Sequence, residues 1–428
     1  MARNMKDSGI EWIGEIPEGW EVIPAKFLFK NSDIRRIADD EQLTSSQQFG
    51  IISQKDYTEL TGSKVVLANK GLADWKHVEP FDFIISLRSF QGGLEMSEIT
   101  GCITWHYIVL KPCHKICSYY YKWLFKSDSY IHALQRTCSF IRDGQDLRYS
   151  NFIQVPLFEP PLAEQEKIAD YLNAECFRID AMLTKTRSSI EEYKKLKQAV
   201  ITQAVTKGVR GEREMKDSGN PWFGQIPTDW KLSRVGLHFS IILGKMLCNA
   251  PLNDTYTLEP YYCAADVHFD GVADGERKKM WFSPIEKDLY RVSVGDLLVV
   301  EGGAGAGGSA IVENQDSYTY IQNSIMIVRS KGNTDNRYLR YLLEFLVKQG
   351  YIDIVCNKAT IPHFTKDKLS CVPFCLCPTG EQKEIADYLD AKCAEIDGLI
   401  AKKEQLVKEL ENYKKSLIYE VVTGKWEV

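Results

Sequence analysis

From Pro161 to about Thr206 the apolar positions recur in alternating steps of four and three, through Leu172, Cys176, Ile179, Leu183, Thr186, Ile190, Tyr193, Lys197, Val200 and Ala204. The same count from Leu389 gives Cys393, Ile396, Ile400, Lys403, Val407, Leu410, Lys414, Leu417 and Val421. A seam repeating every 3.5 residues is the signature of a coiled coil, since it keeps one stripe facing a partner helix. The ends agree with two long helices. Pro161 and Glu164 open the first, Thr379 with Gln382 is placed as a capping box on the second, and Gly208 and Gly424 stand where C-terminal caps belong. Ahead of each helix the periodicity changes. Phe83 to Leu87 and Ile103 to Leu110 read as strands bracketing a loop with Gly92 and Gly93, and Tyr119 to Leu134 reads as helix. Asp296 to Val300 and Tyr318 to Val328 read as strands around EGGAGAGG at Glu301 to Gly308, with Arg337 to Val347 helical.

These elements form two copies of one unit. MKDSGIEWIGEIPEGW at Met5 to Trp20 returns as MKDSGNPWFGQIPTDW at Met215 to Trp230, with ten of sixteen positions identical at an offset of 210. Glu164 to Asp180 matches Glu381 to Asp397 at eleven of seventeen positions, offset 217. The pattern predicts an α+β chain with a head at 1–160, a helix at 161–208, a second head at 209–377 and a second helix at 378–428. Only Val209 to Glu214 separate the first helix from the second head, so a second helix packed on the shared seam must run back antiparallel. Roughly 35 to 40 residues at 1.5 Å each give a rod of ~50 to 60 Å, and the expected shape is a dumbbell with a pseudo-two-fold axis.

The 428 residues are 44% hydrophobic and 11% aromatic, enough for a core in each unit. The first nine residues are polar and no run of eighteen apolar residues occurs, so the expectation is a cytoplasmic protein without membrane contact. Twelve cysteines without a scaffold spacing fit a reducing compartment. Cys371, Cys375, Cys377 and His363 have the look of metal ligands, but the equivalent positions of the first copy are Gln154, Phe158 and Pro160, and no CxxC pair is present. We therefore expect no metal there, nor at Cys113, His114 and Cys117.

The net charge of −5 gives no global attraction to nucleic acid, so any such surface must be local. Basic and amide side chains do collect at matching points. The first head offers Arg88 and Gln91, then Arg136, Arg142, Gln145 and Arg148; the second offers Arg277, Lys278 and Lys279, then Asn357, Lys358, Thr360, His363 and Lys366. Arg, Gln and Asn suit base edges in the major groove, Lys and Thr suit phosphates. For one such residue a solvated surface role is the commoner fate; recurrence in two heads makes the set a candidate DNA-binding surface. Gly303, Gly305 and Gly308 form a formal GxGxxG, but the residues after it read as strand and the first copy lacks it, so a hairpin tip is expected instead of a nucleotide site. GxxxxGK[ST], HExxH, NPPY and DPPY motifs are all missing, so no catalytic engine is expected.

The order head, helix, head, helix, with KDSGIEWIGEIPEGW opening a head and PPLAEQEKIADYLNAECFRID or PTGEQKEIADYLDAKCAEID opening a helix, resembles the DNA-specificity subunit of type I restriction-modification systems. The likeness covers nearly the whole chain. It implies two target recognition domains, each reading half of a split double-stranded DNA site, and helices that set the spacing and dock two methyltransferase subunits. S-adenosylmethionine, Mg and ATP would belong to the methyltransferase and restriction motor subunits, with no cofactor on this chain. The PTGEQ opening of the second helix departs from PPLAEQ of the first. Two other classes compete: a structural coiled-coil adaptor, which leaves the basic loops unused, and a nucleotide-cofactor enzyme, which rests on the glycine loop alone.

Overall fold

The computed structural model describes residues 3–63, 71–86, 89–137, 147–314, 318–356 and 362–428. The chain divides into two compact units: Met1–Arg187 with Glu404–Val428, and Ser188–Lys403. Each unit holds one head and parts of both long helices, which run over Leu162–Lys207 and Thr379–Val422. Among the described residues no helix is long and apolar enough to cross a membrane.

In the first unit an antiparallel sheet takes the order Phe29–Ser32, Ile108–Pro112, Phe83–Ile85, Glu95–Met96. Helices Ser118–Lys126 and Asp128–Arg136 follow it in sequence and pack into the same core, where Phe29, Phe83, Tyr121, Phe125 and Phe152 meet edge to face. The second unit repeats the plan with Phe239–Leu243, Ile325–Ser330, Leu297–Val300, Ser309–Ile311 and the helices Asn336–Lys348 and Tyr351–Val355. The aspartate entering each central strand has the same task. Asp82 accepts the Glu79 N–H and pairs with Lys111 at 3.0 Å, while Asp296 accepts the Ser293 N–H and pairs with Arg329 at 2.7 Å. Burial pushes the Asp82 carboxyl above its ordinary range, and the carboxylate of Asp296 holds the Arg329 guanidinium up.

Several expected elements are interrupted by local polar bonds. The helix expected over Tyr119 to Leu134 breaks at Ser127, which is extended and returns its hydroxyl to the Leu124 carbonyl at 2.7 Å. Ile103 to Leu110 is two strands around a turn closed by Tyr107 N–H on the Thr104 carbonyl. Tyr318 to Val328 is likewise split into Tyr320–Ile321 and Ile325–Ser330, because Gln322 turns the chain by accepting the Ser324 hydroxyl and the Ile325 N–H. Gly92 ends a single helical turn, Ser89–Gly92, instead of lying in an open loop.

The seam is present in each unit. Leu172, Cys176, Ile179 and Leu183 are buried in the first and Ile190, Leu389, Cys393 and Ile396 in the second, and no seam position is exposed. In the first unit Arg187 meets Glu411 and Asp180 meets Lys414 at 2.6 Å; in the second Lys197 meets Asp397 at 2.6 Å and the Lys403 ammonium stands 5.7 Å from the Tyr193 ring. Rising numbers on one helix face falling numbers on the other, so the pair is antiparallel in both units. The two lysine–aspartate bridges are one bridge repeated at offset 217. The lysines occupy seam positions and lay their stems along it while the ammonium reaches a flanking carboxylate. Gly208 (φ +78°) and Gly424 (φ +70°) end the helices in the left-handed conformation. The capping box expected at Thr379 and Gln382 does not form: the Thr379 hydroxyl donates to the Asn333 carbonyl, and Gln382 bridges the Cys377 carbonyl and the Asp335 N–H.

That bridging is half of a clamp seating each head on its helices. Trp20 donates its indole N–H to Glu164 at 2.9 Å, and Arg3 pairs with the same carboxylate and lies 5.4 Å from the indole ring. Trp230 donates to Glu381 at 3.2 Å, with Arg213 paired to that carboxylate and 5.8 Å from the ring. Gln165, like Gln382, bonds the carbonyl preceding its helix and a backbone N–H of its head. Trp123 on Asn173 at 2.9 Å and Tyr341 on Asp390 at 2.8 Å repeat the theme with changed residues.

The thiols expected to be reduced are all unpaired among the described residues, and several are core. Cys375 lies opposite Leu232 in a strand pair; burial pushes Cys377 up to about 12, and Cys176 and Cys393 to about 11. Each folded value lies above the ordinary 9.0, so the unfolded chain loses these protons first. The buried phenols Tyr120, Tyr130 and Tyr338 are raised too and act in the same direction. Stability should hold below pH 9 and fall steadily between pH 9 and 11. Urea midpoints measured across that interval check this, and a flat profile would contradict it.

Candidate nucleic-acid interface

The sheet and helix pair of each head bring two of the expected segments together. In the second head the tip between Leu297–Val300 and Ser309–Ile311 meets the segment that follows the helices: Gly302 bridges His363, the Gly303 N–H donates to the Pro362 carbonyl at 3.1 Å, and the Phe364 N–H to Glu301 at 2.6 Å. His363 Nδ1 lies 3.4 Å from the Glu301 carboxylate, and Lys368 donates to the His363 carbonyl at 2.6 Å. The Cys356 thiol donates to the His363 carbonyl at 3.2 Å. In the first head the turn Ser89–Gly92 packs on Asp128–Arg136, and the Asn151 amide donates to the Thr137 carbonyl at 2.7 Å. Gly93 is obligatory here, since at φ +77° a Cβ would lie 2.0 Å from the Phe125 carbonyl oxygen.

The candidate residues fall into three groups. Arg88, Arg142, Gln145, Asn357, Lys358 and Thr360 lie outside the described residues, and Gln91 is placed only as part of the Ser89–Gly92 turn. Arg136, Arg148, His363 and Lys366 are exposed around the two loops. Arg136 ends its helix 3.0 Å from Glu11, Arg148 precedes Tyr149–Phe152, and Lys366 opens Lys366–Ser370. The third group departs from expectation. Lys278 and Lys279 are exposed on a strand, Lys278–Phe282, paired with Thr257–Tyr262, rather than in a loop. Arg277 is half-buried and committed to Asp266 at 3.1 Å, to the Ala273 carbonyl and to the Tyr262 ring.

The glycine-rich tip is a hairpin. Strand Ser309–Ile311 follows Gly308 directly, so no helix N-terminus faces the space where a pyrophosphate would sit, and the nucleotide alternative loses its basis. Cys371, Cys375, Cys377 and His363 do not converge: Cys371 is exposed, Cys375 is in the core and His363 is on the loop. Among the described residues no group of three or more His, Cys, Asp or Glu side chains is arranged to hold a metal.

A second stripe on the helices escaped the sequence reading. Met182, Ser189 and Leu196 stand one residue before seam positions, as do Leu399, Leu406 and Tyr413 at offset 217, and of these only Ser189 is small and polar. Met182, Leu406 and Tyr413 in the first unit are about half exposed, as is Leu196 in the second. The opposite flank is ionic, with Asp180, Arg187, Asp397 and Glu411 in the bridges described. One flank of the pair is thus closed by charge and the other left largely apolar. The seven-residue spacing of these positions was visible in the sequence.

The sequence model of the type I restriction modification DNA specificity domain matches residues 228–409. A type I restriction enzyme MjaX specificity subunit of Methanocaldococcus jannaschii is 25% identical over 444 residues, covering 97% of this chain and 96% of its own. A chain from a structure of the assembly and conformational transition of the type I R-M system superposes with a TM-score of 0.69 at 16% identity, covering 95% of this chain and 98% of that one. The crystal structure of the HsdS subunit from Thermoanaerobacter tengcongensis gives 0.55 at 16% identity, covering 96% and 98%. The repeated heads and the antiparallel helix pair agree with these likenesses: residues 228–409 match the type I restriction modification DNA specificity domain, and the chain is similar over nearly its whole length to a type I restriction enzyme specificity subunit.

Proposed function

We propose that each head reads one half of a split, asymmetric site in double-stranded DNA through its hairpin tip and the loop after its helix pair, and that the helix pair sets the distance between the halves. The observation that supports this reading is the second head's hairpin tip, held against the segment after its helices by Glu301, Gly302 and Gly303, together with the turn Ser89–Gly92 at the matching hairpin of the first head, which packs on Asp128–Arg136. Arg142→Ala or Gln145→Ala should weaken recognition of one half-site by about 1 to 3 kcal/mol and leave the other half's consensus intact. Lys358→Ala and Lys366→Ala should do the reciprocal, with a shallower salt slope if they meet phosphates. Methylome sequencing and duplex binding read both effects, and joint loss of the two halves would sink the assignment.

The same proposal seats two methyltransferase subunits along the helices. The apolar flank of Met182, Leu196, Leu399 and Tyr413 supports it, because an amphipathic helix with a second apolar stripe has room for further helices. Catalysis and its requirements, S-adenosylmethionine, Mg and ATP, are assigned to those subunits and to the restriction motor, and the complex to the cytoplasm. The purified chain alone should neither methylate nor cleave DNA. Methyl transfer by the isolated chain would refute this division of labour.

A further inference from the structure

Both heads keep a large apolar side chain in water at one equivalent place. Each head contains a helical turn, Ala25–Leu28 or Val235–His238, whose inner side enters the core through Ala25 and Leu28 or through Val235. Its outer side presents Phe27, 58% exposed, or Leu237, 69% exposed, at offset 210. The strand before it adds Val22, 39% exposed, and the half-buried Leu232, again at offset 210. Little else of this stretch is shared: EVIPAKFLF stands against KLSRVGLHF, agreeing in apolar character at 22, 25, 27 and 29. Positions 25 and 29 are explained by the core they fill. Position 27 fills nothing in either core, and position 22 only partly does, Leu232 lying half-buried against the second core while Val22 is exposed.

In the second head these residues line an open groove of about 660 Å³ together with Trp222, Arg234, Tyr351 and Cys371. The rims are cationic. Lys26 lies 5.1 Å from the Phe27 ring, and Lys115 is exposed two residues beyond Cys113, whose N–H donates to the Leu28 carbonyl. Lys231 and Arg234 are exposed beside Leu237, and Lys331 reaches the Gly236 carbonyl at 2.8 Å. Glu21 and Glu159, opposite each other on paired strands of the first head, are acidic exceptions, Glu159 being paired with His114; in the second head the matching pair is Lys231 and Leu376. An apolar centre rimmed by lysine and arginine complements an apolar segment flanked by carboxylates. Apolar anchors of this size belong to protein contacts more than to the phosphate-dominated surface of DNA.

We infer that this surface seats a methyltransferase subunit on each head, taking an apolar, acid-flanked segment of that subunit; the inference rests on the function proposed above. Occurring once per head, it holds a modifying subunit beside the half-site which that head reads, a placement that helix contacts alone do not orient. The test titrates the full-length chain with its cognate methyltransferase subunit. Wild type should take two equivalents. Phe27→Asp and Leu237→Asp should each keep one and bind the other about tenfold or more weaker, the size expected for an interface anchor. Methylome sequencing should then show methylation failing in one half-site only. Phe27→Ala and Leu237→Ala, which keep the helical turn, should act in the same direction, and Lys26→Glu and Arg234→Glu more weakly with a dependence on salt. Two equivalents bound with unchanged affinity by both aspartate variants would overturn the inference, as would loss of DNA binding with both subunits retained. A wild-type chain that takes up no methyltransferase subunit would remove the proposed function itself.

Discussion

Glu381→Ala is expected to cost the second unit about 3 kcal/mol of stability, against about 1 to 2 kcal/mol for Glu164→Ala in the first. The two carboxylates do the same work in different surroundings. The Glu381 side chain is 0% exposed and carries the Trp230 indole and the Arg213 guanidinium, whereas Glu164 is 24% exposed, so water can replace it around Trp20 and Arg3. Removing Glu381 leaves an indole N–H without an acceptor beneath an arginine whose charge that carboxylate holds up. Arg213 retains Asp229 at 2.8 Å, which limits the loss. Glu381→Gln should recover about half, since an amide oxygen still accepts from Trp230 while the ion pair is gone. Urea unfolding followed by tryptophan fluorescence separates these cases, and equal losses at the two sites would contradict the burial argument.

This clamp also shows where sequence reading stopped. The two best-preserved motifs of the repeat, one opening each head and one opening each helix, were legible as motifs, but the residues that join them are 144 and 151 positions apart. Periodicity reports on one element at a time and says nothing about such a pairing. The seam was legible for the converse reason: Leu172 through Val421 obey a local rule whose only requirement is a partner helix, and the antiparallel direction followed from a short connection. The heads were read as strands and helix in the right order, yet Ser127 and Gln322 divide elements that looked continuous, because a hydroxyl or amide bonded to nearby backbone outweighs an apolar run. At the candidate interface the distinction is between composition and placement. Arg277 and Lys278 are neighbours in a basic triplet, but one is spent on Asp266 and the other stands in solvent on a strand. Charge alone cannot separate these roles. The ends of the two segments that hold the other candidates are tied, Cys356 to His363 and Asn151 to Thr137, by bonds that no composition argument would have anticipated.

Lengthening both helices by one heptad, near Ser188 and near Gln405, is expected to move the spacer between half-sites by about three base pairs while leaving the half-site sequences unchanged. Seven residues at 1.5 Å add ~10 Å to the helix pair, and each base pair occupies 3.4 Å. Seven is the insertion that keeps the 3.5-residue seam in phase. Both insertions fall between the repeated bridges, with Ser188 between Asp180 and Lys197 and Gln405 between Asp397 and Lys414, so each bridge and each clamp keeps its partners. Three added base pairs also turn one half-site by ~100° about the DNA axis, at 10 to 10.5 base pairs per turn. A left-handed helix pair with a pitch of ~150 Å turns by only ~25° over the same 10 Å. The DNA must therefore twist to meet the second head, and affinity should fall even at the new optimum. The measurement is binding to a series of duplexes whose spacer grows one base pair at a time, read beside the methylome of cells carrying the double insertion. A shifted optimum at lower affinity supports helices that measure the site. An optimum unmoved from that of the parent chain, at full affinity, would mean that the heads find their half-sites independently of helix length.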